Sequence, residues 1–129
     1  MNKNKSFTIT VSNGFYVGDL CFALSEEVYN KVWGDTYGFE DGAYIDPATG
    51  LEFAMVGTAG GDGCYRGADG QDYPVDAGII GVCALELVQK PVKNLGRLVY
   101  GYSGQITLTY KSGSIIVDCG DHNITIKTN

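Results

Sequence analysis

The chain has 129 residues and a mass of 13.8 kDa, enough for one domain whose core needs no disulfide or metal staple. A composition of 44% hydrophobic, 12% aromatic and 19% charged residues, with 19 Gly and 3 Pro, excludes a disordered tail, a collagen-like repeat and a charged coiled coil. The net charge of −6 disfavours direct binding of nucleic acid through its phosphates.

In chain order, Phe7, Ile9 and Val11 alternate with Thr8 and Thr10, the period-2 pattern of a half-buried strand. Ser12-Asn13-Gly14 reads as a tight turn into a second strand over 15–19, which predicts an N-terminal hairpin. One short helix is expected near 25–33. Ser25 can cap it, Glu26 and Glu27 suit the positive end of its dipole, and Gly34 can stop it. Leu24 and Tyr29 have the spacing of a hydrophobic staple, and Val28, Val32 and Trp33 supply the apolar stripe. Residues 51–56 read as a strand that pairs with 43–46 across the turn Asp46-Pro47-Ala48-Thr49-Gly50.

Residues 79–88 form the most apolar stretch and predict a central strand covered on both faces, with Cys83, Leu85 and Leu87 on one side and Val82 and Ala84 on the other. The C-terminus reads as a meander. Ile106, Leu108 and Tyr110 alternate with threonines, Lys111-Ser112-Gly113 turns the chain into 114–118, and Gly120-Asp121-His122 turns it into 124–127. The fold class expected is mainly β, a β-rich α+β single domain over residues 1–129. It has seven to nine short strands in a partly closed barrel or sandwich.

The charge is unevenly distributed. Residues 1–16 carry +2 and residues 77–129 carry +2, whereas residues 17–76 hold twelve acids against Lys31 and Arg66, a local charge of −10. Twelve of the glycines fall between Gly34 and Gly81, so acid, Gly and Tyr are concentrated in one loop-rich middle. No apolar run of signal-peptide or membrane-span length is present, so a cytoplasmic protein with reduced thiols and no membrane partner is expected.

Several chemistries fail on spacing. Gly61, Gly63 and Gly67 imitate a dinucleotide-binding run. However, Ala68-Asp69-Gly70 makes a further turn where a helix should start, Asp62 would repel an anion, and no Lys-Ser/Thr pair follows for a P-loop. The run reads as a glycine-bent hairpin or bulge. Asp62, Asp69, Asp72 and Asp76 are oxygen donors of the type Ca²⁺ accepts, but their order does not match an EF-hand, and solvated Asp/Gly turns are the plainer reading. Cys119 and His122, beside Asp118 and Asp121, place a nucleophile, a base and an acid together on paper; neighbours in a tight hairpin often diverge. Four scattered cysteines and one His lack zinc spacing, and Gly101-Tyr102-Ser103-Gly104-Gln105 fails the serine-nucleophile pattern. No cofactor is called for.

The rings Tyr37, Phe39, Tyr44, Phe53, Tyr65 and Tyr73 lie within the acidic middle. Tyr with Gly and Asp is a recognition composition, and the same rings can equally close the ends of a small barrel. Arg66, the only cation between Lys31 and Lys90, is read first as a structural partner for a nearby Asp. The interaction surface expected is therefore Asp62, Tyr65, Arg66, Asp69, Asp72, Tyr73 and Asp76.

Four segments carry a resemblance: Phe15-Tyr16-Val17-Gly18-Asp19-Leu20-Cys21, Val32-Trp33-Gly34, Gly61-Asp62-Gly63-Cys64-Tyr65 and Val75-Asp76-Ala77-Gly78-Ile79-Ile80. Over roughly residues 14–127 the chain resembles small proteins of phages and Gram-positive bacteria that share a VGD…GDG-x-Y…VDAG pattern. That resemblance implies a phage or mobile-element setting and brings no functional residue with it. Together with the acidic middle it leads to an expected non-enzymatic binding protein, an inhibitor of a bacterial defence system whose partner is a host protein with a basic surface. The alternatives are a sponge for a small nucleotide that uses Arg66, Lys93 or Arg97, a virion component, or a Cys- or metal-dependent enzyme with Asp62, Asp76, Cys119 or His122. Homo-oligomerisation is left open.

Overall fold

The computed structural model describes residues 4–33, 40–120 and 123–129. Among them eleven strands follow in chain order: β1 (Lys5–Val11), β2 (Gly14–Gly18), β3 (Gly42–Ile45), β4 (Glu52–Gly57), β5 (Gly63–Arg66), β6 (Asp72–Val75), β7 (Ile79–Ala84), β8 (Arg97–Tyr100), β9 (Gly104–Lys111), β10 (Ser114–Asp118) and β11 (Asn123–Lys127). One helix, α1 (Glu26–Trp33), and two 3-10 turns, Leu20–Phe22 and Leu85–Leu87, complete the described elements. The protein is mainly β, as expected, but with eleven strands in place of seven to nine, and its sheets form a sandwich that does not close into a barrel.

The first sheet has the order β1-β9-β10-β11, antiparallel throughout. Its alternating residues sort by polarity. Ile9, Val11, Ile106, Leu108, Ile115, Val117, Ile124 and Ile126 point into the core. On the opposite face Ser6 bonds Thr109 at 3.0 Å and Thr8 bonds Thr107 at 3.1 Å, cross-strand hydroxyl pairs that suit a solvated surface. The β9–β10 reversal is a two-residue turn with Ser112 at φ 51° and Gly113 at φ 87°, the left-handed pair that matches strand twist.

The second sheet has the order β3-β4-β7-β2-β8, also antiparallel. All residues of β2 and β7 are buried. One face of this sheet, including Phe15, Val17, Val56, Ile80 and Val82, packs on the first sheet. The other, including Tyr16, Phe53, Met55 and Cys83, is covered by Leu20, Leu24, Val28, Leu87 and Val92 from the turns, the helix and the loops. Gly81 makes the second layer fit. A methyl there would run into the Ala54 carbonyl oxygen and approach Leu20 Cδ1 at 2.9 Å.

Two local expectations are corrected. β1 and β2 do not form a hairpin: β1 pairs with β9 in one sheet, and β2 pairs with β7 and β8 in the other. Gly14, at φ 100°, carries the chain across the sandwich, and Phe15-Tyr16-Val17 is apolar at successive positions because both of its faces are covered. Second, β7 ends at Ala84, and Leu85 and Leu87 belong to a 3-10 turn that sends Leu87 into the outer core layer.

The helix forms where expected. The Val28 amide donates to Ser25 Oγ at 3.2 Å, and Leu24 and Tyr29 pack against the same apolar cluster. Gly34, Tyr37 and Phe39 lie outside the described residues. The β3–β4 turn is also as expected. Asp46 accepts from the Gly50 amide through its carbonyl and from Thr49 Oγ1 through its carboxylate, both at 2.7 Å.

Candidate functional site

The end of the Gly/Asp/Tyr-rich middle, residues 63–75, folds into β5 and β6, which among the described strands pair with each other alone, Tyr65 opposite Tyr73 and Arg66 opposite Asp72. The glycine run is thus a hairpin, with the loop 67–71 closed by the Gly67 amide on the Gln71 carbonyl at 2.9 Å. The Gln71 amide donates to Asp69 Oδ1 at 3.1 Å, and Gly70 takes φ 83°, so the Asp and Gly of this loop set its geometry. The hairpin rests on the edge of the first sheet. The Ala68 amide donates to the Thr125 carbonyl at 2.8 Å, and Gly67 bridges to Ile126, which covers an edge that would otherwise be open.

Of the seven residues expected to form one surface, the five charged ones fall into three groups and the two tyrosines pack inward. Arg66 and Asp72 pair on the outer face, Nε to Oδ1 at 2.8 Å, with both side chains largely exposed. An exposed pair of this kind contributes little to stability. Asp69 turns the other way. Its Oδ2 accepts from Arg97 Nη1 and from the Tyr73 hydroxyl, each at 2.8 Å, which ties the hairpin tip to β8. Burial alone would raise the Asp69 carboxyl; the bonds from Tyr73, Arg97 and the Gln71 amide outweigh it and hold the group below the usual carboxylate range.

Asp62 and Asp76 form the third group. They line one open depression of about 470 Å³ with Cys21, Tyr29 and Ala77.

The two tyrosines pack inward to different depths. Tyr73 is fully buried in the core between the sheets, and burial followed by the bond to Asp69 pushes its hydroxyl pKa up. Tyr65 is half-buried, packs against the same core, and donates to the Gly61 carbonyl at 2.8 Å. Their alternation with Arg66 and Asp72 turns one face of the hairpin inward.

Asp19 lies outside the expected surface, yet it holds three lining residues of the depression in place. It is fully buried directly after β2, and its carboxylate accepts from the Cys21 amide at 3.0 Å and from the Asp76 and Ala77 amides at 2.7 Å each. It thereby caps the 3-10 turn and fastens the end of β6 beside it. Gly18-Asp19 at the end of an apolar run is the only local hint of that role. Tyr16, also fully buried, donates its hydroxyl to the Leu95 carbonyl and, at 3.2 Å, to that of Asp19. Burial, then the neighbouring Cys83 and Asp19, push its pKa up.

Burial, and next the hydrogen bond and charge of Asp19, push the Cys21 thiol up, the opposite of what a nucleophile needs. Cys119 is buried, while Asp121 and His122 of the proposed Cys–His grouping lie outside the described residues. Cys64 is exposed on the hairpin, Cys83 is buried in the central sheet, and none of the four cysteines forms a disulfide. Asp62, Asp69, Asp72 and Asp76 do not converge as a calcium cage, and among the described residues no three His, Cys, Asp or Glu side chains gather as metal ligands. Among the same residues no helix is long and apolar enough to cross a membrane. Comparison with protein families, with curated proteins and with solved structures finds nothing that matches the chain.

Proposed function

We propose that this chain is a non-enzymatic binding protein whose Asp62–Asp76 depression receives a lysine or arginine of a partner protein. One observation carries the reading. Asp69 and Asp72 are paired with Arg97 and Arg66, and Asp41 is paired with Lys5 at 2.8 Å; at Asp62 and Asp76, among the described residues, no cation stands within ion-pair distance. Two carboxylates on one concave surface, with the Tyr29 ring on its wall, offer a cation charge and an aromatic contact together. The −10 middle supplies a field that speeds encounter with a basic surface and sets its orientation. The resemblance to phage and Gram-positive proteins makes the partner a host factor, in our reading a component of a bacterial defence system that this protein inhibits.

The test is quantitative affinity capture from a bacterial host lysate with the wild type and two double variants. Both side chains are exposed and the Asp19 contact at 76 is made by the backbone amide, so Asp62→Lys/Asp76→Lys is expected to keep the fold, which far-ultraviolet circular dichroism checks. We expect a partner held by the wild type and by Arg66→Ala/Asp72→Ala, released by the Lys variant, and weakened by added salt. Full retention of the partner by Asp62→Lys/Asp76→Lys would overturn the proposal.

A further inference from the structure

The sandwich has another concave region at the seam between β8 and β11, the edge strands of the two large sheets. A cavity of about 320 Å³ enters there, walled by Phe15, Val99 and Ile124, with Asn123 at its polar rim. Beside it lies a polar hollow of about 450 Å³, lined by Lys93, Asn94 and Gln71. The two hollows share Asp69 and Arg97 in their walls. Each volume falls in the range of small-molecule sites, roughly 300–1,000 Å³, and an apolar wall with a few convergent polar groups is the usual make-up of such sites.

The chemistry of the two lobes differs in kind. The first offers an aromatic and two β-branched side chains, with an amide and a carboxylate at the rim. That environment suits a flat ring whose edge carries donors and acceptors. In the second, Lys93 is exposed with no ion-pair partner among the described residues, and Arg97, Gln71 and Asn94 add further N–H donors. The ammonium of Lys93 and the guanidinium of Arg97, with the Asn94 amide beside them, can together take up the three oxygens of a phosphate. Arg97 joins the lobes. It reaches Asp69 through Nη1, and a guanidinium has five N–H donors in a rigid fork, so it can hold Asp69 and a phosphate oxygen together. The Asp69 charge is met by Arg97, which leaves Lys93 to draw the anion in.

We infer that the seam is a binding site for a nucleotide-sized phosphate ester, its ring between Phe15, Val99 and Ile124 and its phosphate on Lys93 and Arg97. The site shares no residue with the Asp62–Asp76 depression and does not depend on the function proposed for it.

Adenosine 5′-monophosphate is the probe, titrated into the full chain and followed by amide chemical shifts. Saturable shifts at Arg97, Val99 and Ile124 are expected. Adenosine alone and inorganic phosphate alone should each bind roughly tenfold more weakly or worse, since each gives up one lobe. Lys93→Gln and Arg97→Gln should each lower affinity by about tenfold, the effect of one charge-assisted hydrogen bond, and Val99→Trp should fill the ring lobe and abolish binding. Lys93 is on the surface, so Lys93→Gln reports on binding even if a β8 variant fails to fold. Asp62→Lys/Asp76→Lys should bind the nucleotide like the wild type, which keeps the two sites separable. The inference fails if no residue of the seam shifts at millimolar nucleotide. It fails equally if phosphate alone binds as well as the nucleotide, or if Lys93→Gln binds it unchanged.

Discussion

Replacing Asp19 by Ala should destabilise the protein more than any change at a surface acid. The carboxylate is fully buried and satisfies three amides, one from Cys21 on Oδ1 and two from Asp76 and Ala77 on Oδ2. Each bond to a charged acceptor contributes about 1.5–3 kcal/mol, and the three amides are stranded at once in the variant. Part of that loss is returned because a buried carboxylate no longer has to be kept out of water, which leaves a net destabilisation of about 3–4 kcal/mol. Asp19→Asn is the sharper probe. Its single carbonyl oxygen can keep the Asp76 and Ala77 amides, but its NH₂ group then faces the Cys21 amide, so a smaller loss of about 1–2 kcal/mol is expected. Urea unfolding followed by far-ultraviolet circular dichroism measures both, with unchanged slopes showing that stability and not compactness has altered. An Ala variant within about 1 kcal/mol of the wild type, or an Asn variant as damaged as Ala, would refute the claim that this carboxylate organises the turn.

Gly81→Ala should destabilise the fold by about 2 kcal/mol or more in the same assay, because the added methyl meets the Ala54 backbone and the Leu20 side chain in a layer that has no slack; a neutral result would show that the two layers can part. The Asp69–Arg97–Tyr73 link should make stability fall in acid. Asp69 is held below its ordinary value, so its contribution is fully present above the unfolded carboxylate pKa of about 4 and is lost as pH drops through the lower folded value. Asp69→Asn should flatten that part of the acid unfolding profile, and an unchanged profile would remove Asp69 from the account.

Much of the fold is legible locally. The alternation around Ile9 and Leu108, the Ser25 cap, the Asp46 turn and the Ser112-Gly113 reversal each depend on a few adjacent residues, and each is found in place. β8 is hard to read because it has four residues between Gly96 and Gly101, too short for any period to register. The hairpin between β1 and β2 is misread for a different reason. Ser12-Asn13-Gly14 dictates that the chain turns, but which strand β2 pairs with depends on where an all-apolar Phe15-Tyr16-Val17 can bury both faces.

The −10 of the middle segment is a property of the sequence alone, and the glycine run at 57–67 already announces a bend there, a hairpin or a bulge. What each acid does there was decided by the tertiary structure. Asp69 meets Arg97, 28 residues later, Asp72 meets Arg66 across the hairpin, and Asp19 is enclosed to hold amides 57 and 58 residues away. Asp62 and Asp76 face an open depression together, with no cation within ion-pair distance among the described residues. Turn and strand preferences act through the backbone over a few residues, whereas charge pairing and burial act through space, and the stacking of two sheets sets which distant residues share that space.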